Sequence, residues 1–271
     1  MQQIHRPLDG AKLKVNRAKA HFGELKEVCG AFCKRNPYVL VPEEDRSAGK
    51  LLFKVRIREC LPEELSAVIG DIIHNLRAAL DLLATELAIK GGASGKSSYF
   101  PFNSDPAKFK TKWLPKRAGT TDKRSLQFFR RLKPYPGGNP ALWALHQLDI
   151  LDKHQAIIPV GTTHISVNID WASLIPPGEE NDCMREFLRK TPVFWRPADR
   201  QYPLKDGAIL HSCPIPKPGE PKPQPQVRIG IAFGEGQIVE GEPIGEALEK
   251  YIKLVERIVE IAERHFFTPG S

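Results

Sequence analysis

The sequence lacks the features that mark membrane, secreted and disulfide-stabilised proteins. None of its 271 residues belongs to an apolar run near the roughly 20 residues that cross a bilayer, and the segment from Met1 to Pro7 has no signal-peptide core. The five cysteines form no CxxC pair and no zinc-ribbon spacing. Cys29 and Cys33 lie one helical turn apart among apolar residues, which is typical of reduced core thiols. We therefore expect a cytoplasmic protein without a membrane partner.

Familiar cofactor motifs are missing as well. The segment Gly91–Ser97 is similar to a phosphate-binding loop, but Lys90 stands where the Walker spacing requires glycine, and a predicted helix precedes it. Gly234-Glu235-Gly236 lacks the third glycine of a dinucleotide site. No HExxH, EF-hand or nucleophile-elbow spacing occurs. The sequence predicts no cofactor and no metal site with a diagnostic spacing.

The composition is that of a globular protein with a basic excess. Hydrophobic residues make up 41% and charged residues 27%, and the formal net charge is +8. Such values argue against a disordered chain, and the basic excess favours RNA, nucleotides or other anions as partners. Lysine and arginine lie in short runs at 108–116, 123–133 and 217–222, for which a solvated surface is the alternative interpretation.

Hydrophobic periodicity predicts an α+β fold, with a bundle of three to four helices packed with a mainly antiparallel sheet. Helices are predicted at residues 9–34, 62–90, 122–132, 140–155 and 243–267. Strands are predicted at 38–41, 51–58, 157–160, 163–171, 208–211 and 227–233. Residues 91–119, which contain the aromatic residues Phe100 and Phe102, are interpreted as an ordered loop that packs over the helices. The proline-rich residues 213–225 are interpreted as an extended connector. We expect a helical region with a hairpin at 1–160, and strands plus the last helix at 161–271, in one compact domain.

The second predicted helix carries the most informative pattern. One side is apolar throughout and consists of Leu65, Ile69, Ile72, Ile73, Leu76, Leu80, Leu83 and Leu87. The other side, here called the polar face, consists of Asp71, His74, Asn75, Ala78, Asp81 and Thr85, with Arg77 at its edge. No Lys or Glu occurs between Glu64 and Glu86, although exposed helices favour those residues. This indicates that another element covers the polar face and pairs its charges; exposure to solvent is the other interpretation.

Two further helices supply residues of the same kind. His146, Asp149 and Lys153 share one side of the helix predicted at 140–155, with Asp152 and His154 beside them, and Arg17 and His21 lie one turn apart on the first helix. Bundles build internal sites from such side chains on neighbouring helices. The candidate binding residues are Arg17, Asn75, Asp152, Lys153 and His154.

These segments together resemble a widespread bacterial family of uncharacterised proteins. The matching residues are Asn16-Arg17-Ala18 with His21, Gly70-Asp71, His74–Asp81 (HNLRAALD), Phe100-Pro101, Leu132–Tyr135, Leu148-Asp149 and Asp152–His154 (DKH), all within residues 10–160. Family members often carry His after ALD and Arg after DKH, where this chain has Leu82 and Gln155. The resemblance implies no particular activity. A looser similarity, on Arg17 to His21, is to the HEPN group of helical ribonucleases and nucleotide-binding modules, whose spacing is one residue longer.

One functional hypothesis is that the chain binds RNA, a nucleotide or another anion. The enzymatic version of this hypothesis is a ribonuclease. The general acid–base would be His74 or His21, and Arg77 with Arg17 would stabilise phosphate charge. Asp71 or Asp81 would orient a histidine.

Two alternatives use the same residues differently. In one, the chain is a non-enzymatic interaction or structural protein whose buried polar network only fixes helix packing. In the other, His74, Asp71 and either Asp149 or His154 hold a metal ion for hydrolysis. The residues leave the anion-site and packing hypotheses open.

Overall fold

The computed structural model describes residues 6–168, 203–217 and 224–268, and these residues form the predicted α+β fold. The helices of this part are α1 (Asp9–Lys34), α2 (Glu64–Lys90), α3 (Pro106–Phe109), α4 (Trp113–Ala118), α5 (Lys123–Leu132), α6 (Pro140–His154) and α7 (Ile244–Ala262). A π-helical turn, Glu263–Phe267, continues α7. The strands are β1 (Tyr38–Asp45), β2 (Lys50–Ile57), β3 (Pro159–Asn168), β4 (Ile209–Pro214) and β5 (Gln224–Phe233).

The chain divides into two compact units, each built from separate stretches of sequence. The first comprises the described residues within Met1–Cys29, Glu63–Ile158 and Gly236–Ser271, and the second those within Gly30–Pro62 and Pro159–Glu235. The change from helices to strands between Ile158 and Pro159 falls beside the boundary expected at residue 160. The β1–β2 hairpin, however, groups with the later strands, and α7 groups with the helices. Whether 1–160 and 161–271 behave as one domain stays a prediction.

The helical unit is organised around α2, which packs against α6 and α7. All eight residues of the predicted apolar side of α2 are fully buried, so that prediction is confirmed. The apolar stripe of the last helix is also buried, and it consists of Ile244, Leu248, Ile252, Val255, Val259, Ala262 and Phe266. Burial of leucine and isoleucine side chains contributes about 1.5–3 kcal/mol each relative to exposure, which makes this interface the main source of stability in the unit.

Short polar side chains define where several helices begin. Asp122 accepts a hydrogen bond from Ser125 N (2.7 Å) at the start of α5, and Asn139 accepts one from Leu142 N (3.1 Å) at the start of α6. Asp105 caps α3 in the same way. Each cap satisfies a backbone N–H that has no partner within its helix. The caps of α5 and α6 set the positions of the side chains described below.

The second unit contains two small antiparallel sheets, one with strand order β1-β2-β4 and one that pairs β3 with β5. The hairpin pairs Tyr38 with Ile57 and ends at Asp45 opposite Lys50. Its core is a cluster of buried side chains, Phe32, Tyr38, Val55 and Leu204. All the described pairings are antiparallel, as predicted.

Several boundaries differ from the predictions. The interpretation of residues 91–119 as loop throughout was wrong, because α3 and α4 lie there; helices of four and six residues are too short to produce periodicity. The strands predicted at 157–160 and 163–171 form one strand, β3. The connector predicted at 213–225 overlaps the strands on either side of it, because Pro214 ends β4 and Pro225 lies in β5. Residues 169–171 of a predicted strand lie outside the described residues.

The cysteines of the described residues, Cys29, Cys33, Cys60 and Cys213, form no disulfide among themselves. Cys29 and Cys33 are half-buried instead of fully buried, and Cys33 packs against the core of the second unit. Burial raises the pKa of the Cys33 thiol, which disfavours the reactive thiolate. Cys183 lies outside the described residues. No helix in the described ranges has the length and apolar character needed to span a membrane.

Candidate functional site

The polar face of α2 has a covered end and an open end. At the covered end, around Arg77 and Asp81, the segment from Ser98 to Phe102 lies on the helix. Asp81 Oδ1 accepts a hydrogen bond from Phe100 N at 2.8 Å. Phe100 and Phe102 are both buried, so this segment partly shields the C-terminal half of the polar face, where Ala78, Asp81 and Thr85 are half-buried.

Arg77 is the most deeply placed charge of this face, at 5% exposure. Its Nη1 lies 2.6 Å from Asp81 Oδ1; the contact is an ion pair, since its angle is not that of a hydrogen bond. The guanidinium carbon lies 4.7 Å from the centre of the Phe102 ring, within range of a cation–π interaction. Arg77 Nε is buried and has no hydrogen-bond partner within the described part of the chain, and an atom without accessible surface offers no contact to a ligand.

A histidine from α6 completes the covered end. The rings of His146 and Phe102 stack with centres 4.3 Å apart and planes 11° apart, and Trp143 meets the imidazole edge to face at 5.6 Å. Burial, together with the nearby charge of Arg77, lowers the pKa of His146 to about 4. The imidazole is therefore neutral at pH 7 and packs as an aromatic ring.

The remaining residues of the covered end bond to their own helix. Asn75 is buried and its Nδ2 donates to Asp71 O at 2.8 Å, and Thr85 Oγ1 donates to Asp81 O at 3.1 Å. Both bonds join a side chain to the carbonyl four residues earlier, a common way for helices to satisfy short polar groups. Asn75, a predicted binding residue, thus has a local structural partner.

At the open end, His74 and Asp71 are exposed to solvent. His74 has a side-chain exposure of 54%, and its Nδ1 lies 3.5 Å from Oδ1 of the buried Asp149 on α6. The other carboxylate oxygen of Asp149 accepts a hydrogen bond from Lys153 Nζ at 2.6 Å. The sequence-based prediction that Asp149 and Lys153 share one side of α6 is confirmed. The anion-site hypothesis assigned acid–base chemistry to His74 and stabilisation of phosphate charge to Arg77, but the two side chains have different partners, Asp149 and Asp81.

A third carboxylate stands at the open end. Asp152 lies against Gly70 of α2 so closely that a Cβ at residue 70 would collide with its carboxylate oxygens, so any larger residue at position 70 would require the Asp152 side chain to move. Burial is the largest cause that raises the pKa of Asp152, followed by the negative charges of Asp149 and Asp71. The open end is therefore locally acidic, although the chain as a whole is basic.

The predicted pair on α1 forms a separate group. Arg17 Nη2 lies 3.3 Å from His21 Nε2, and His21 Nδ1 lies 3.2 Å from Glu24 Oε2. Among the described residues, these contacts remain on α1 and do not reach the polar face of α2. His154, also a predicted binding residue, is exposed at the end of α6. Within the described residues, Arg17, His21 and His154 therefore do not join the residues of the polar face in one site.

The described residues contain no group of three or more His, Cys, Asp or Glu side chains placed to hold a metal ion. His74 and Asp149 approach each other, but within this part of the chain Asp71 and His154 do not complete a ligand set with them. The metal hypothesis therefore has no geometry to support it.

Sequence reasoning placed Phe100 and Phe102 among the aromatic residues of the loop predicted at 91–119, but it did not indicate that they contact Arg77 and His146. The Phe100-Pro101 pair within the family resemblance also marked the segment without indicating its partner. The stacking of Phe102 on His146 depends on how a loop folds over two helices, and periodicity carries no information about that.

The chain was compared with protein-family models, with curated proteins and with solved structures, and none of the three comparisons found a match.

Proposed function

We propose that the chain is a non-enzymatic interaction protein, and that the covered end of the polar face is an internal brace that fixes the packing of α2, α6 and the segment 98–102. The observation that carries this proposal is the environment of Arg77. Its guanidinium is buried and contacts two groups of the same chain, the carboxylate of Asp81 and the ring of Phe102. An arginine used to bind phosphate presents its N–H groups to the ligand instead.

The charges of the open end also favour this proposal over an anion site at the same helix. Asp71, Asp149 and Asp152 contribute three carboxylates, while Lys153 is the cation paired with Asp149. A phosphate placed beside His74 would meet this negative potential at close range, where like charges repel. The basic excess of the sequence therefore lies elsewhere on the molecule.

A second candidate function, acid–base catalysis on a phosphodiester such as RNA, is favoured by one observation. The exposed imidazole of His74 lies beside the buried carboxylate of Asp149, and a carboxylate behind an exposed histidine is a common arrangement for a general base. In this function His74 takes a proton from the attacking hydroxyl, and Asp149 holds the imidazole in position. Arg77 takes no part in it.

The test combines unfolding and RNA measurements on the same variants. A double-mutant cycle of Arg77→Met and Asp81→Asn, measured by urea unfolding, is expected to give a favourable coupling of about 1–2 kcal/mol, because either single change leaves one charge without its partner. The matched control is the exposed pair Glu249–Lys253 on α7, which has the same spacing and should couple far more weakly.

RNA measurements separate the two candidates. We expect Arg77→Met and His74→Ala to leave the anisotropy of a labelled single-stranded RNA unchanged relative to wild type, at a temperature where all the proteins are folded. Loss of RNA cleavage in His74→Ala, without a change in unfolding, would instead support the second candidate. A negligible coupling free energy between Arg77 and Asp81 would contradict the proposal that this pair braces the helix packing.

A further inference from the structure

A cavity of about 260 Å³ lies between α5 and the π-helical turn, and it shares no residue with the polar face of α2. Its apolar wall consists of Phe128, Leu132, Ile261 and Phe266. The rings of Phe128 and Phe266 meet edge to face with centres 5.7 Å apart. The cavity is therefore built from a defined aromatic pair, and its volume lies just below the usual range for pockets of drug-sized ligands.

Two arginines, one histidine and one amide form the remainder of the wall. Arg124, Arg131, His265 and Gln127 are exposed and line the cavity, and none of its lining residues is acidic. Arg124 Nη2 donates to His265 O at 3.1 Å, so this guanidinium is held in position at the rim. Arg131 forms no ion pair or side-chain hydrogen bond within the described ranges, and its charge is available to a ligand.

The backbone of the π-helical turn shapes this wall. Thr268 N donates to Glu263 O at 3.1 Å, a bond across five residues, and the wider turn carries both His265 and Phe266. Helices of this type are rare and occur frequently at functional sites. The His265 ring is fixed as well, since its Nδ1 donates to Ile261 O at 3.0 Å. Within the described residues, its Nε2 has no hydrogen-bond partner and can contact a ligand.

We propose that this cavity binds a small amphiphilic anion, with the acidic group at Arg131 and Arg124 and an apolar body against Phe128 and Phe266. The charge of the rim selects an anion, and the apolar wall selects a hydrocarbon body. Apart from the two arginines, Gln127 and His265 are the only polar side chains that line the cavity, so its wall offers few groups to read a nucleotide base. A medium-chain carboxylate matches both the charge and the size.

Octanoate is the probe, and its binding to the full chain is measured by isothermal titration calorimetry. We expect 1-octanol, which has the same body without the charge, to bind at least about 10-fold more weakly, because charge-assisted hydrogen bonds to arginine are lost. Butanoate should also bind more weakly, by about two- to fourfold for each methylene removed.

The matched variants are Arg131→Gln and Arg130→Gln, which remove neighbouring exposed arginines of α5. Only Arg131 lines the cavity, so Arg131→Gln should weaken octanoate binding about 10-fold while Arg130→Gln leaves it within twofold. Chemical shifts of the Phe128 and Phe266 rings should move on addition of octanoate to wild type. Equal effects of the two variants, or no octanoate binding by wild type, would overturn the proposal.

Discussion

The two ends of the polar face of α2 contain the same kinds of residue, yet they have opposite environments. At the covered end, Asp81 has one cation and one backbone N–H as partners. At the open end, Asp152 faces two other carboxylates, and its pKa is raised. The difference teaches that a polar pattern on a helix predicts where charges lie, whereas the elements that pack on the helix decide whether a charge stabilises or destabilises the fold.

Removal of the cover gives the largest expected effect. Phe102→Ala deletes a buried ring that contacts both Arg77 and His146, and we expect it to lower the free energy of unfolding by about 3–4 kcal/mol. The measurement is urea unfolding followed by circular dichroism. Tyr99→Ala, a change of an exposed ring in the same segment, is the control and should cost about 1 kcal/mol or less. Similar losses in both variants would mean that the segment is not a specific cover.

A smaller effect should appear in the pH dependence of stability. The pKa of His146 is about 4 in the folded protein, against about 6.5 for an unfolded imidazole. The unfolded chain therefore binds the proton first as the pH falls from about 6.5 towards 4, and stability decreases through that window. We expect this residue to contribute about 1 kcal/mol of the decrease between pH 7 and 5, a value reduced for its partial exposure.

His146→Phe tests this assignment, because phenylalanine keeps the ring stacking and cannot titrate. The unfolding free energy of this variant should fall less between pH 7 and 5 than that of wild type. A residual decrease is expected from His211, whose pKa burial also lowers. Parallel pH profiles for variant and wild type would show that His146 is not a buried neutral imidazole.

Much of the fold could be predicted from the sequence, because helix amphipathicity is a local property. The apolar side of α2 and the stripe of α7 repeat over six or more turns, and both are buried as expected. The short helices α3 and α4 could not be predicted from periodicity, since each spans fewer than two turns. The π-helical turn likewise leaves no pattern that distinguishes it from the end of α7.

The candidate site was only partly predictable. The lack of Lys and Glu between Glu64 and Glu86 indicated a cover. Arg77 and Asn75 are buried, but Asp71 and His74 are exposed. The sequence contains the residues of the segment 98–102 but does not indicate where on α2 they pack. Which end of the helix the segment 98–102 covers depends on how the chain folds back after Gly91. The cavity beside α5 arises from two elements about 130 residues apart in the chain, so no local pattern reveals it.

The most direct test of the contrast is one substitution made at both ends, Asp81→Asn and Asp152→Asn, with the free energy of unfolding measured at pH 7. Asp81→Asn leaves the buried Arg77 without a counter-charge and should destabilise the protein by about 2 kcal/mol. Asp152→Asn relieves the repulsion of the half-buried Asp152 by Asp149 and Asp71 and should stabilise the protein slightly, by about 0.5 kcal/mol after solvent screening. Opposite signs are the predicted result. A neutral or stabilising effect of Asp81→Asn would contradict the account that Arg77 and Asp81 brace the fold.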